Sequence, residues 1–436
     1  MKTVLDRAKH VHFIGIGGSG VSAIARLALL QGKRVSGSDQ AESSITEELK
    51  KAGAAIYLGH RATNLAPDAD LVVYTIAVDD TNPEFAKAQE RHLPLFSYPQ
   101  MLGEISKEMY TIAVSGTHGK TTTTAMIGKL LQDTGLDPTV IVGSPMLHAK
   151  SNLIVGKGKY LVVEACEYRR SFLNLSPRIL VITNIDRDHL DYYKDLADIQ
   201  KAFSEMVAKL DARGTLVCAA EHPRLAPVLT HNPGKLVDYE MFAPLTNTLK
   251  LRLPGAHNQW NAQAAAAVGS VLKIPPPVMK QSLRAFRGTK RRLEFKGITA
   301  GGIVLYDDYG HAPAEVRATL AALRELFPEK RITVVFQPHL YSRTKLLLSE
   351  FAESFHDANR SIICDIFAAR EPMDTAIHAK DLVHAINGTG ASASYMQDFA
   401  TVGALLREQE LKTDVLLTLG AGSIGTLADS LVNMVA

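Results

Sequence analysis

At 436 residues the chain is too long for one ordinary hydrophobic core and suits two or three domains of about 100 to 200 residues each. Hydrophobic residues make up 46% and charged residues 21%, as in globular proteins, and 48 basic against 45 acidic residues give a nucleic-acid partner no electrostatic support. Cys166, Cys218 and Cys364 lie too far apart for a zinc site or a disulfide framework, and no run reaches the roughly 18 apolar residues of a membrane span, so a cytoplasmic protein without a membrane partner is expected.

The basic N-terminus passes into a Gly-rich turn before any long apolar segment, so no signal peptide is expected. Short apolar runs then alternate with amphipathic helical stretches, which predicts an α/β protein with parallel sheets. Residues 11–14 read as a first strand, 20–31 as a helix, 34–38 as a second strand, 45–51 as a helix and 71–76 as a further strand. This block ends near Gly103. A second block runs from a strand at 110–114 through strands at 160–163 and 179–183, with a buried Ala-rich helix at 262–272 and a Pro-rich turn at 274–278, and closes near Gly297. A third opens with a strand at 303–306 and continues with strands at 332–336, 362–366 and 415–419. The expected division is 1–104, 105–297 and 298–436, with no internal repeat.

In the first block, Gly15, Gly17, Gly18, Ser19 and Gly20 form a G-x-G-x-x-G turn between a strand and a helix, with Asp39 about 20 residues on. Such a turn closes backbone on a diphosphate, and Asp39 would accept a ribose hydroxyl. The motif does not distinguish NAD from a UDP-sugar. The second block opens with the most informative stretch: a strand feeds Gly116, Thr117, His118, Gly119, Lys120, Thr121 and Thr122. A Gly-rich turn opening a helix aims several N–H groups at one point, Lys120 adds a full charge, and Thr121 offers a hydroxyl to a phosphate-bound Mg2+. A nucleoside triphosphate is expected there. Val114 stands where the ordinary P-loop has its first Gly, so the GTPase pattern is the poorer match.

Glu164 ends a strand at the sheet edge where α/β ligands gather, and completes Mg2+ coordination or is merely a solvated strand end. His189, in the polar stretch from Thr183 to Asp191, either binds a second metal, orients a ligand or is structural. Asn258 and Asn261, one turn apart, read an adenine edge, unless Asn258 simply caps the helix. In the third block, Asp307 to His311 and Gln337 to Arg343 each follow a strand and should share one sheet edge, where His339 and Arg343 suit an amino-acid carboxylate. Arg291 and Arg292 reach a phosphate or decorate a surface.

Taken in order, the glycine turn, G-T-H-G-K-T at 116–121, E-A-C-E-Y-R-R at 164–170, the Asn184 to His189 stretch, His257 to Asn261, D-D-Y-G-H at 307–311 and Pro338 to Thr344 closely resemble the Mur ligases over the whole length. The resemblance implies three domains: a Rossmann-like N-terminal domain for the UDP-substrate, a central P-loop ATPase domain, and a C-terminal Rossmann-like α/β domain for the incoming amino acid. It further implies Lys120, Glu164 and His189 as catalytic groups, with Thr121, Glu164 and His189 holding Mg2+. ATP would be bound by residues 116–122 with Asn258, Asn261, Arg291 and Asp307, the UDP-substrate by Gly15, Gly17, Gly18, Ser19, Gly20 and Asp39, and the amino acid by His311, His339 and Arg343.

The glycine turn is similar to that of the family member joining L-alanine to UDP-N-acetylmuramate, and recycling of murein tripeptide is the alternative. Later-acting relatives carry a carbamylated lysine about 14 or 15 residues past the motif histidine; Phe203 and Ser204 stand there. The segment 166–170 departs from the commoner acidic version, so no acid's role carries over to Cys166. The implied chemistry is phosphorylation of the lactyl carboxylate by ATP and capture of the acyl phosphate by the alanine amine, with domain closure assembling the reacting atoms. A nicotinamide-dependent dehydrogenase would leave the second loop idle, and a nucleotide-controlled binding protein would hydrolyse ATP regardless of alanine. Monomer and homodimer both stay open.

Overall fold

The computed structural model describes residues 3–190, 192–369, 371–407 and 412–432; Asp191, which closes the predicted polar stretch, lies outside them. The first sheet comprises β1 (His10–Ile14), β2 (Arg34–Asp39), β3 (Ala55–Leu58), β4 (Leu71–Tyr74) and β5 (Leu95–Ser97). Its order is β3-β2-β1-β4-β5, and every pairing is parallel. Strand order reverses between β1 and β4, so the turn after β1 opens into the crevice where such sheets bind ligands. The expected helix begins at Ser19 and ends at Leu30, and the strand expected over 71–76 stops at Tyr74.

Beneath this sheet lies a polar network that the apolar pattern does not reveal. Glu84, fully buried, accepts from His12 Nε2 at 2.8 Å, Ser38 Oγ at 2.7 Å, Asn64 Nδ2 at 2.9 Å and the Arg61 N–H at 3.0 Å. A buried carboxylate persists only when its lone pairs are met in this way. The network ties β1 and β2 to the helix Pro83–Glu90.

The second sheet comprises β6 (Tyr110–Ser115), β7 (Thr139–Met146), β8 (Ser151–Ile154), β9 (Tyr160–Glu164), β10 (Ile179–Ile182), β11 (Thr215–Cys218) and β12 (Lys235–Asp238). They run in the order β12-β11-β10-β6-β9-β7-β8, with only the β7–β8 pair antiparallel among the described strands. β10 is buried at every position and β6 at all but its first, the mark of strands covered on both faces. The Ala-rich helix spans Ala256–Val271. Small side chains suit it: Ala262, Ala264, Ala265, Ala266 and Ala267 are all buried. The Pro-rich segment is not simply a turn. Lys273 takes a positive φ of 60° and a new helix, Pro276–Ala285, starts at the prolines, which fit a first helical turn because their missing N–H would go unbonded there anyway.

The third sheet comprises β13 (Glu294–Ile298), β14 (Val304–Asp308), β15 (Ile332–Phe336), β16 (Arg360–Ile363), β17 (Ala393–Tyr395) and β18 (Val415–Leu419), in the order β13-β14-β18-β15-β16-β17. Among the described strands only β13 is antiparallel, pairing with β14. It straddles residue 297, so this sheet begins before the expected boundary. Phe336, Phe351 and Phe355 pack on one face, and Val335, Ile362 and Ile424 on the other.

The chain divides into two compact units. One holds residues 1–187, 192–249 and 261–284, with both the first and second sheets; the other holds residues 188–191, 250–260 and 285–436. Within the first unit Asn152 on β8 donates to Ser19 O at 2.6 Å and accepts from Arg26 Nη1 at 2.6 Å, fastening the helix after the glycine turn to the second sheet.

Candidate active site

The phosphate loop lies where β6 meets the helix Lys120–Asp133. Gly119 caps that helix at φ 82°, and a Cβ there would fall 2.4 Å from Asn261 Oδ1, so both conformation and space demand glycine. The loop is clamped from the segment after β10: His118 N–H donates to Asn184 Oδ1 at 3.0 Å, Asn184 Nδ2 donates to His118 O at 3.1 Å, and Thr117 N–H donates to Asn184 O at 3.0 Å. Thr117 Oγ1 also accepts from the Asp186 N–H at 2.8 Å. Asn261 Oδ1 accepts from Thr123 Oγ1 at 3.1 Å.

Lys120 Nζ donates to Gly116 O at 2.6 Å and Thr117 O at 2.9 Å, and pairs with Glu167 Oε2 at 2.9 Å. Burial alone would weaken its hold on the proton, but Glu167, with Cys166 and Glu164 behind it, outweighs burial and holds the ammonium above its ordinary value. Lys120 is therefore a fixed positive charge at neutral pH. Thr121 Oγ1 donates to Glu164 Oε1 at 3.0 Å, while Glu164 Oε2 accepts from the Gly143 N–H at 2.7 Å. The structure thus brings the predicted hydroxyl and carboxylate together as a pair of hard oxygens, the donor type Mg2+ prefers. Thr122 is buried in the first turn. Among the described residues no group of three or more His, Cys, Asp or Glu side chains could hold a metal, so an ion at Thr121 and Glu164 would complete its shell with phosphate oxygens and water. Glu167 is the residue that pattern reading missed: it stands in the quoted motif, but only the fold shows that it faces Lys120. Cys166 is exposed.

At the first sheet's edge Asp39 does not stand open. Its Oδ2 accepts from the Gly17 N–H at 2.8 Å and its Oδ1 from the Gln40 N–H at 2.8 Å, so it braces the glycine turn. Gly15 N–H donates to Ser38 O at 2.9 Å, and Gly18 N–H to Gly15 O at 3.2 Å. A Cβ at Gly20 would fall 2.5 Å from the Tyr98 ring. That same phenol is kept protonated by burial and, next, by the nearby Glu164 charge, which places Tyr98 between the glycine turn and the phosphate-loop carboxylate.

The second unit gathers the remaining candidates. Asp308, deeply buried, accepts from the Leu293 and Gly310 N–H groups, while Asp307 accepts from Arg291 Nε at 3.0 Å and Thr418 Oγ1 at 2.7 Å. Arg291 also donates to Gly420 O and Gly422 O, so it locks β14 to the turn after β18, and Arg292 lies 5.0 Å over the Tyr309 ring. The loops after β14 and β15 do share an edge, with His311 and His339 rings 5.6 Å apart. Burial lowers the His311 imidazole below its ordinary value, Arg343 adding to it while Glu315 and Asp188 oppose.

Arg343 donates to Asp188 Oδ1 at 2.9 Å and lies 3.3 Å from His339 Nδ1. Burial would raise the Asp188 carboxyl, but His189, Arg343 and His311 together hold it well below the usual carboxylate range. His189 takes a positive φ of 52°, and its N–H donates to Asp188 Oδ1 at 2.7 Å. It groups with this unit, whereas Thr121 and Glu164 belong to the other. Asn258 Nδ2 donates to Pro254 O at 2.8 Å, bonding inside its own turn.

Three family models match the chain in succession: "Mur ligase family, catalytic domain" over residues 10–110, "Mur ligase middle domain" over 114–243, and "Mur ligase, glutamate ligase domain" over 291–422. The UDP-N-acetylmuramate--L-alanine ligase of Caldanaerobacter subterraneus subsp. tengcongensis is 40% identical, with 97% of each chain covered. That of Clostridium kluyveri is 39% identical over 98% of both chains. Among solved structures, the UDP-N-acetylmuramate-alanine ligase of Thermotoga maritima superimposes with a TM-score of 0.82 and 28% identity, covering 98% of this chain and 99% of that one.

Proposed function

The chain belongs to the Mur ligase family, and from that membership we propose that it joins L-alanine to the lactyl carboxylate of UDP-N-acetylmuramate with ATP, releasing ADP and phosphate, in peptidoglycan precursor synthesis. The observation that carries this reading is the likeness, over 97% of both chains, to a ligase of that name. The likeness to a murein peptide ligase of Psychrobacter arcticus, at 22% identity, bears on the fold alone, so tripeptide recycling is the weaker reading.

A carboxylate is a poor acyl donor because an oxide dianion would have to leave. Transfer of the ATP γ-phosphoryl group to a lactyl oxygen breaks the bond to ADP and gives an acyl phosphate. The neutral amine of alanine then attacks the carbonyl carbon, and phosphate departs from the tetrahedral intermediate. In this chain, N–H groups at the start of helix Lys120–Asp133 cradle the phosphates, and the Lys120 ammonium stabilises charge on the transferring group. Thr121 and Glu164 would hold Mg2+, which would supply further neutralisation of the phosphate charge. His189 remains the candidate for a second ion.

We assign residues 1–104 to the UDP-substrate, 105–293 to ATP and 294–436 to the amino acid, the last boundary moved from 297 to the start of β13. In the first segment the braced turn from Gly15 to Gly20 takes the diphosphate. In the last, Arg343 with His339 and His311 takes the alanine carboxylate, which would compete with Asp188 for the guanidinium. No described helix is long and apolar enough to cross a membrane, which is compatible with a cytoplasmic enzyme. The deciding experiment measures phosphate release from ATP with UDP-N-acetylmuramate and a panel of amino acids plus the murein tripeptide. Release is expected with L-alanine and not without an amino acid; release with the tripeptide in place of alanine would move the assignment to recycling.

A further inference from the structure

Arg169 belongs to the motif after β9, and the reaction as described leaves it without a task. Arg169 and Arg170 both take left-handed backbone angles, φ 50°, ψ 31° and φ 55°, ψ 24°. Two successive non-glycine residues adopt that conformation only where the surroundings impose it, and such strain concentrates at functional positions. Here the surroundings are evident. Arg170 is ion-paired with Asp198 at 2.9 Å and Glu205 at 2.7 Å, both on the helix Leu196–Val207. The Tyr193 hydroxyl donates to Glu167 O, and the Phe172 N–H donates to Cys166 O at 2.9 Å while its ring packs 5.2 Å from Phe203. These anchors fix the turn on both sides of Arg169, which is itself exposed.

The direction in which Arg169 is presented is informative. Its Nη1 lies 3.4 Å from Ile76 O, two residues beyond β4, and the neighbouring Thr75 N–H donates to Ile14 O, the last residue before the glycine turn. Two residues before Arg169, Glu167 grips Lys120. A strained, externally braced cation therefore stands between the glycine turn of the first sheet and the phosphate loop of the second, both within one compact unit. Resting on the function proposed above, the nucleotide sugar must reach from the first of these places to the second and present its carboxylate to the γ-phosphate. Two anions repel each other at that step, and a planar guanidinium offers a carboxylate two parallel hydrogen bonds.

We propose that Arg169 binds the lactyl carboxylate of the nucleotide sugar and holds it for phosphoryl transfer. The test compares the wild-type chain with Arg169→Ala and Arg169→Lys in steady-state kinetics, in thermal melting and in binding of UDP-N-acetylglucosamine, which shares the nucleotide and diphosphate but lacks the lactyl group. Arg169→Ala should raise KM for UDP-N-acetylmuramate about tenfold or more, the worth of a charge-assisted hydrogen bond. KM for ATP, the affinity for UDP-N-acetylglucosamine and the melting temperature should hardly move, and Arg169→Lys should recover part of the loss. An unchanged KM for UDP-N-acetylmuramate, an equal weakening of UDP-N-acetylglucosamine, or a fall in melting temperature that accounts for the loss would overturn the assignment. Wild-type turnover with alanine is the reference: its absence would overturn the functional reading itself, and this assignment with it.

Discussion

Lys120 is held by two carbonyls and a carboxylate of the chain itself, so the fold fixes where its charge stands. Lys120→Ala removes that charge from the transferring phosphoryl group, and acyl-phosphate formation should fall by at least about a hundredfold. The measurement is ADP production with UDP-N-acetylmuramate and no alanine in a single-turnover format; undiminished ADP would contradict the role. Asp308 makes a prediction about stability. Burial pushes its carboxyl up to about 6 against the pull of Arg292 and of the Gly310 and Leu293 N–H groups. The folded chain thus holds this proton more tightly than the unfolded one, so the contribution is fully present below the ordinary value of 3.8 and lost as pH rises through about 6. The melting temperature of the wild type minus that of Asp308→Asn, which has no ionisable group at this position, should therefore fall as pH rises from about 4 to about 7. A difference that stays constant over that range would show that the group is ionised throughout. Glycines, Lys120, Thr121 and Glu164 were legible as residues because their chemistry follows a fixed spacing from a strand end. The Glu167 partner of Lys120 and the bracing of the glycine turn by Asp39 were not, because each depends on which side chain faces which across the folded edge.

Among the elements, the phosphate loop is the one whose shape is most tightly determined. Gly119→Ala would force a side chain into φ 82° and against Asn261, so the loop must shift. We expect a loss of about 1 to 3 kcal/mol in urea unfolding, together with a raised KM for ATP. Unaltered stability and ATP kinetics would mean that the loop is free to rearrange. Central parallel strands such as β6, β10, β15 and β18 were legible as continuous apolar runs, since both of their faces are covered. Short edge strands were not. β3 and β12 are only four residues long and lie largely exposed at the sheet edge, so neither shows the alternation or the long buried run that marks a strand, and β13 owes its assignment to antiparallel pairing with β14. The helix at Pro276 was missed because proline reads equally as a turn residue and as a helix start, and its neighbours decide which.

For the molecule as a whole, turnover should depend on a divalent ion that the protein alone does not enclose. On the proposed function Thr121 and Glu164 would be two of its ligands, and phosphate oxygens and water would supply the rest. Chelation with EDTA should abolish phosphate release from ATP, Mg2+ should restore it, and the melting temperature of the nucleotide-free protein should be unaffected. A marked loss of stability on chelation would point instead to an enclosed structural ion. Sequence order determined the α/β class, the succession of three sheets and the two glycine-rich strand-to-helix turns, because strand-to-turn-to-helix junctions are written in local spacing. The tertiary structure alone decided that the first two sheets form one compact unit, that Glu84 ties β1 to β2 through buried hydrogen bonds, and that Arg169 stands between the two glycine-rich turns. Those facts rest on contacts between residues tens of positions apart, and no local spacing specifies them; they arise when burial forces each polar group to find a partner.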